Sequence, residues 1–341
     1  MNRRIFTLLA ALIPILVLGA VGSAVTVPFV ALGPGPTFDT LGDVEGKPVV
    51  DVRGAPVDPT TGHLNMTTVS VRDGLNVFEA FGLWLSGQQG LVPRAEVYPP
   101  GVSRDEVDKS NKQDFKDSED NAELAALHYL KMPTVVKVRS VSDEGPAKGV
   151  LREGDELVSL GGTPITTVQD LLTAASTTKP GTTVPIVIRR DGVEQTVEVT
   201  AGARPDAPEK GYLGVTPTEV PVGPLQVDFN LSEVGGPSAG LMFTLALIDK
   251  LTPGELNGGH FVAGTGTIDP AGKVGPIGGI QYKMIAAKNA GAETFLVPAA
   301  NCNEAKQRTP DNLRLVRVET LTDAVESLDN INAGKEAPTC E

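Results

Sequence analysis

Histidine and cysteine are nearly missing from this chain: its 341 residues contain three histidines and two cysteines. Cys302 and Cys340 both lie near the C-terminus, with only His260 in that half, too few donors for a structural zinc site. No metal or cofactor site is read from the sequence. In an oxidising compartment the two cysteines would form a disulfide tying the tail to the region before it; otherwise they are unpaired thiols. Basic residues are scarce as well, 29 against 42 acidic, a formal charge of −13. That balance excludes nucleic acid and anionic lipid surfaces as favoured partners and promotes solubility.

Charge of either sign is absent between Arg4 and Asp39. As a helix, residues 5–29 would extend about 37 Å, against a hydrocarbon core of about 30 Å. Pro14 lies within that run, and membrane helices tolerate proline. Arg3 and Arg4 favour an N-terminus held in the cytoplasm. The expectation is a transmembrane anchor over 1–32 in a single-pass cell-membrane protein, with everything after it extracytoplasmic. A cleaved signal peptide ending at Gly22-Ser23-Ala24 is the competing reading, and it too places the bulk of the chain outside the cytoplasm.

Beyond Gly33-Pro34-Gly35-Pro36, residues 48–52 and 64–71 read as strands and 76–86 as a helix. The stretch 101–121 is charged and nearly devoid of large apolar residues, a solvated helix or a mobile arm, followed by a short amphipathic helix over 122–130. Residues 135–141 alternate as a half-buried strand, 167–176 form a helix, and Asp191-Gly192 joins strands 184–190 and 193–199 as a hairpin. From Gly211 the character changes: a strand near 225–231, a helix over 238–251, a strand at 261–263, a helix over 281–289 stopped by Gly291, and a strand at 294–297.

Chemistry concentrates in two segments of that last region. Gly235-Gly236-Pro237-Ser238-Ala239-Gly240 places a serine near a helix start, where unpaired amides favour a developing negative charge. Gly235, Gly236 and Ala239 are the oxyanion candidates, while Pro237 has no N–H to offer. Ile277-Gly278-Gly279-Ile280-Gln281-Tyr282-Lys283 places a lysine on a helix after a glycine-rich turn. A desolvated lysine can serve as the base that activates a serine hydroxyl. The first segment also fits G-x-S-x-G, the nucleophile elbow of α/β-hydrolases. That reading needs an acid and then a histidine downstream, and His260 lies too close to Ser238 for the intervening elements.

With Thr265-Gly266-Thr267-Ile268 between them, the two segments resemble the proteolytic domain of the Lon family over roughly 211–300. The resemblance implies Ser238 as nucleophile, Lys283 as base and Thr265 as a residue that helps orient the lysine. It also implies assembly into a homo-oligomeric ring. Gly149-Val150-Leu151-Arg152-Glu153-Gly154-Asp155-Glu156-Leu157 resembles the G-x-L-x-x-G-D-x-[IL] segment of PDZ domains, with similarity over about 134–201. Such domains add an extended peptide to a sheet edge and take its terminal carboxylate on loop amides. Residues 128–133 here lack the glycine-rich loop of many members.

The expected architecture is a multidomain α+β protein. A transmembrane helix (1–32) precedes an N-terminal region (33–133), a PDZ-like β-rich domain (134–203), a Lon-type α/β catalytic domain (207–335) and a tail (336–341). The layout resembles bacterial membrane-anchored PDZ-containing Lon-like serine proteases. No Walker A segment is present, since Gly272-Lys273 is followed by Val274. The function expected is therefore ATP-independent cleavage of unfolded, flexible, exported or membrane-proximal proteins. The PDZ-like domain would recruit or gate substrate. A PDZ-based adaptor with a degenerate protease domain is the alternative.

Overall fold

The helix that opens the chain is shorter than its apolar run. The computed structural model describes residues 3–87, 89–231 and 234–340, with side chains from Ala10 onward. The first helix spans Arg3–Ala24. The β-branched Val25, Thr26 and Val27, followed by Pro28, then leave it for extended backbone. Thr26 forms an antiparallel bridge with Asn76, and the Val27 N–H donates to Leu75 O at 2.8 Å. Thr26 and Val27, counted as helix in the sequence reading, are thus drawn into backbone pairing. Among the described residues, no helix is long and apolar enough to cross a membrane. This corrects the expected transmembrane helix, and with it the expected single-pass cell-membrane placement. The side chains of Arg3 and Arg4, which carried the orientation, lie outside the described residues.

Two compact units follow from the backbone contacts. The first comprises Met1–Val52, Pro56–Ala126 and Val227–Glu341. Its mixed sheet runs Arg314–Val318, Thr294–Pro298, Phe261–Gly264, His63–Arg72, Phe29–Asp39 and Gly90–Pro93. His63–Arg72 pairs parallel to Phe261–Gly264 on one side and antiparallel to Phe29–Asp39 on the other. The prolines of the Gly33–Pro36 run cannot donate, and the register slips between Pro34 and Thr37. A Cβ at Gly35 would lie 2.8 Å from the Thr68 carbonyl carbon, so only glycine lets the strands approach there.

Three helices of this unit position the site. Gly240–Leu251 is apolar almost all round and buried from Gly240 to Lys250, as such a helix must be. Ile280–Ala290 starts after Gly279 (φ 69°) and stops at Gly291 (φ 104°), both left-handed. Arg104–Tyr129 is one continuous helix of 26 residues, where the sequence suggested a solvated helix or a mobile arm followed by a separate short helix. Phe115, Ser118, Ala122 and Ala125 recur at helical spacing and are buried, and Phe115 packs edge-on against Phe243 with centroids 5.7 Å apart. Cys302 and Cys340 are joined by a disulfide. Arg317 N–H donates to Pro338 O at 2.9 Å, and Thr339 bridges Val316, so the tail covers the edge strand Arg314–Val318.

The second unit comprises Arg53–Ala55 and Leu127–Gln226. Its sheet runs Val193–Thr200, Thr183–Arg190, Glu156–Leu160, Thr134–Val141 and Val215–Pro221, with the helix Val168–Thr177 packed on a core of Val136, Val138, Leu157, Leu171, Ile186 and Ile188. Asp191 and Gly192 both have positive φ (53° and 78°), the geometry a two-residue hairpin requires. Val215–Pro221, read from the sequence as the start of the catalytic region, pairs with Thr134–Val141 along its length.

Candidate active site

The segment before Ser238 is held from several directions. Gly236 adopts φ 86°, which favours glycine, and its N–H donates to Asn111 O at 2.8 Å. Ser118 Oγ donates to Pro237 O at 3.0 Å. The Ser238 carbonyl accepts from Gly266 N–H at 3.0 Å and from Thr265 Oγ1 at 3.1 Å. Leu241 N–H donates to Gly266 O at 3.1 Å. The helix begins at Gly240 with Ala239 as its N-cap and no side-chain cap. Ser238 therefore does not cap it, and its hydroxyl is directed elsewhere.

It meets Lys283. The lysine Nζ lies 2.6 Å from Ser238 Oγ, 3.0 Å from Thr265 Oγ1 and 3.1 Å from Thr67 O. Lys283 is 3% exposed, and burial pushes its pKa down to about 7. As an ammonium it donates to all three oxygens. As a neutral amine it has two hydrogens and one lone pair. Thr67 O can only accept, and Thr265 spends its own proton on Ser238 O, so those two take the hydrogens. The lone pair is left facing the Ser238 hydroxyl, the geometry a general base needs. Of the oxyanion candidates, the Gly236 amide is already committed to Asn111, which leaves Gly235 and Ala239 together with the Ser238 amide.

A cavity of about 740 Å³ opens beside Ser238 and Lys283, lined by Phe38, Val69, Val234, Pro276 and Ile277. No histidine lines it. His260 is half exposed, lies 3.7 Å from Glu293 and lines a different cavity of about 780 Å³. His63 Nδ1 is 2.6 Å from Asp39, and His128 Nε2 is 2.9 Å from Glu219. Among the described residues, no group of three or more His, Cys, Asp or Glu gathers into a metal site.

Sequence reasoning singled out Ser238, Lys283 and Thr265, and the fold brings them together. It passed over Asn111, Ser118 and Thr67. Asn111 and Thr67 act through backbone carbonyls, which leave no mark in a side-chain pattern. Ser118 had a readable trace, an apolar stripe of Phe115, Ala122 and Ala125 that turns its helix face inward.

Residues 233–331 match the family described as Lon protease (S16) C-terminal proteolytic domain, and residues 107–201 match PDZ domain. Lon protease of Phenylobacterium zucineum is 36% identical over 127 residues, 34% of this chain and 15% of that protein. The probable periplasmic serine endoprotease DegP-like of Pseudomonas fluorescens is 38% identical over 87 residues, 25% of this chain and 18% of that protein. The crystallised PDZ domain of an SdrC-like protein from Listeria monocytogenes is 26% identical, covering 24% of this chain and 84% of that one with a TM-score of 0.22. The chain thus spans under a fifth of the length of these curated relatives. Residues 233–331 are thus similar to a Lon-type proteolytic domain and residues 107–201 to a PDZ domain.

Proposed function

We propose that this chain is an ATP-independent serine endopeptidase working through a Ser238–Lys283 dyad. The observation that carries this reading is a buried lysine, with no acidic partner among the described residues to keep it charged and its Nζ 2.6 Å from a serine hydroxyl. Lys283 removes the Ser238 proton as Oγ attacks the scissile carbonyl, forming a C–O bond. The resulting oxyanion is stabilised by amides of Gly235, Ser238 and Ala239. The Lys283 ammonium then protonates the leaving amine as the C–N bond breaks. Neutral Lys283 then deprotonates a water that attacks the acyl carbonyl, and returns the proton to Ser238 Oγ as the ester C–O bond breaks. Thr265 fixes the direction of the lysine. An adaptor would have no use for a desolvated lysine in this arrangement, since burying it costs free energy.

Substrates in this reading are unfolded or flexible proteins, recruited or gated by the PDZ domain. The chain carries no Walker A segment with which to unfold them. The test is digestion of casein, an unfolded protein, by the purified chain with and without ATP. Equal digestion in both conditions, lost in Ser238→Ala, is the expected result. Digestion that requires ATP, or that survives Ser238→Ala, would overturn the reading.

A further inference from the structure

One wall of the catalytic cavity is held by a side chain rather than by backbone pairing. Pro276, Ile277 and Gly278 line the cavity beside Ser238 and Lys283. Just before them, Val274–Gly275 pairs with Thr267–Ile268. Just after them, Gly279 O accepts Lys283 N–H at 3.2 Å, and a Cβ at Gly279 would lie 2.9 Å from Val69 Cγ2. The segment is thus anchored at both ends. Between those anchors, none of 276–278 takes part in a backbone–backbone hydrogen bond among the described residues.

Asn301 supplies what the backbone does not. Ile277 N–H donates to Asn301 Oδ1 at 2.9 Å, and Asn301 Nδ2 donates to Ile277 O at 2.9 Å. A primary amide carries a donor and an acceptor side by side, so this side chain stands in for one residue of a neighbouring strand. Asn301 is 5% exposed and sits on a firm mount. It ends the turn Ala299–Asn301, which follows the buried strand Thr294–Pro298, and the next residue, Cys302, is bonded to Cys340. Both polar backbone groups of Ile277 are therefore turned to Asn301, while its side chain packs on the core around Ile280 and Met284 and lines the cavity. Lys283 does not depend on this clamp, because Thr67 O and Thr265 Oγ1 hold its Nζ.

We propose that Asn301 is a positioning residue for the substrate: it fixes Ile277 as a wall of the catalytic cavity and so sets how tightly a polypeptide is held beside Ser238, without acting on the dyad. Removing the amide leaves the Ile277 N–H and carbonyl without partners, and such groups turn toward water or toward new partners when they can. The wall between Gly275 and Gly279 then moves, and a substrate must order it again on binding. The loss falls on binding of ground state and transition state alike, which is a change in KM rather than in kcat. The kinetic consequence rests on the protease reading proposed above. The clamp itself rests on geometry alone.

The test has two arms. The first is hydrogen exchange at the Ile277 amide in the full chain carrying Ser238→Ala, with and without Asn301→Ala, read by mass spectrometry with electron-transfer fragmentation. Exchange about tenfold faster or more at Ile277, with the helix Ile280–Ala290 unchanged, is the expected result. The second arm is steady-state hydrolysis of a casein-derived peptide. Asn301→Ala should raise KM about tenfold and change kcat by no more than about threefold. Asn301→Asp keeps the shape of the side chain, and at pH 8 its carboxylate still accepts from Ile277 N–H but has no hydrogen for Ile277 O, so KM should rise by about fivefold or more. Unchanged exchange at Ile277, faster exchange throughout the chain, a loss confined to kcat, or a wild-type KM in Asn301→Asp would each overturn the proposal. Faster exchange confined to the 276–278 wall, in a protein whose wild type leaves casein intact, upholds the clamp and removes the protease reading.

Discussion

Ser118 Oγ donates to the Pro237 carbonyl at 3.0 Å although 119 positions separate them in sequence. Two turns earlier on the same helix, Asn111 O takes the Gly236 N–H, and a Cβ at Gly235 would come within 3.0 Å of Asn111 Cβ. The helix Arg104–Tyr129 thus braces the loop immediately before Ser238.

Ser118→Ala leaves the Pro237 carbonyl without its partner and lets the loop drift. The expected result is a kcat reduced about tenfold with KM nearly unchanged, because a small misplacement of a nucleophile acts on the chemical step. Ser118→Thr, which keeps the hydroxyl, restores most of it. Steady-state casein-peptide kinetics below the unfolding transition distinguish this from a general loss of stability, which would leave kcat intact in the folded fraction.

Thr265→Val removes one acceptor from Lys283 and one donor from the Ser238 carbonyl while keeping the shape of the side chain. The expected loss in kcat is on the order of a hundredfold, within the range general acid–base positioning supplies. Thr265→Ser should recover activity to within about tenfold, since the hydroxyl does the orienting. Equal activity in Thr265→Val and wild type would assign the threonine to packing alone.

Activity should climb as pH rises through about 7, because only the neutral amine of Lys283 accepts the serine proton. Glu123 is also pushed up to about 7, chiefly by burial with Asp120 adding to it, and it sits on the bracing helix. A pH–rate profile of Glu123→Gln therefore serves as the control, and its rising limb should stay in place. The same burial of Lys283 has a thermodynamic counterpart. Between pH 7 and the free-lysine value of about 10.4 the unfolded state binds the proton that the folded state has released, so stability rises with pH across that window. Denaturant titrations of wild type against Lys283→Met should diverge there, and parallel curves would place the lysine in water.

The Cys302–Cys340 bond closes a separation of 38 residues and fixes the tail against Arg314–Val318. Cys340→Ser should lower unfolding stability by about 3 kcal/mol and leave the dyad geometry, and so kcat at low temperature, in place. Thiol titration of the unfolded, unreduced protein should find no free thiol. Two free thiols would contradict the bond.

Much of the site was legible because its chemistry forces unusual local sequence. Gly236 needs a left-handed φ, Pro237 has no amide, Gly279 opens the lysine helix in a left-handed turn, and each is visible as a glycine or proline beside the reacting residue. The partners of those residues were not legible. Thr67 reaches Lys283 through a carbonyl on a strand 216 positions away, and any residue type could supply that oxygen. The N-terminal helix was over-read for the opposite reason. Apolar composition alone does not say where a helix stops, and the backbone pairing of Thr26 and Val27 with Asn76 and Leu75 ended it at Ala24. In the second unit, alternation and the Asp191-Gly192 turn located Thr134–Val141, Thr183–Arg190 and Val193–Thr200 but neither Glu156–Leu160 nor Val215–Pro221, nor the order of the strands in space. The edge strand Val215–Pro221 is a partner of Thr134–Val141 that only the register reveals.

The dyad is tested most directly by intact-mass spectrometry after treatment with a serine-directed fluorophosphonate, followed by peptide mapping. A single adduct on Ser238 is expected in wild type and in His260→Gln, with the labelling rate of Lys283→Met lower by a factor on the order of a thousand, since the hydroxyl then lacks its base. Labelling at a different residue, or labelling of Ser238 at an unchanged rate in Lys283→Met, would contradict the assignment.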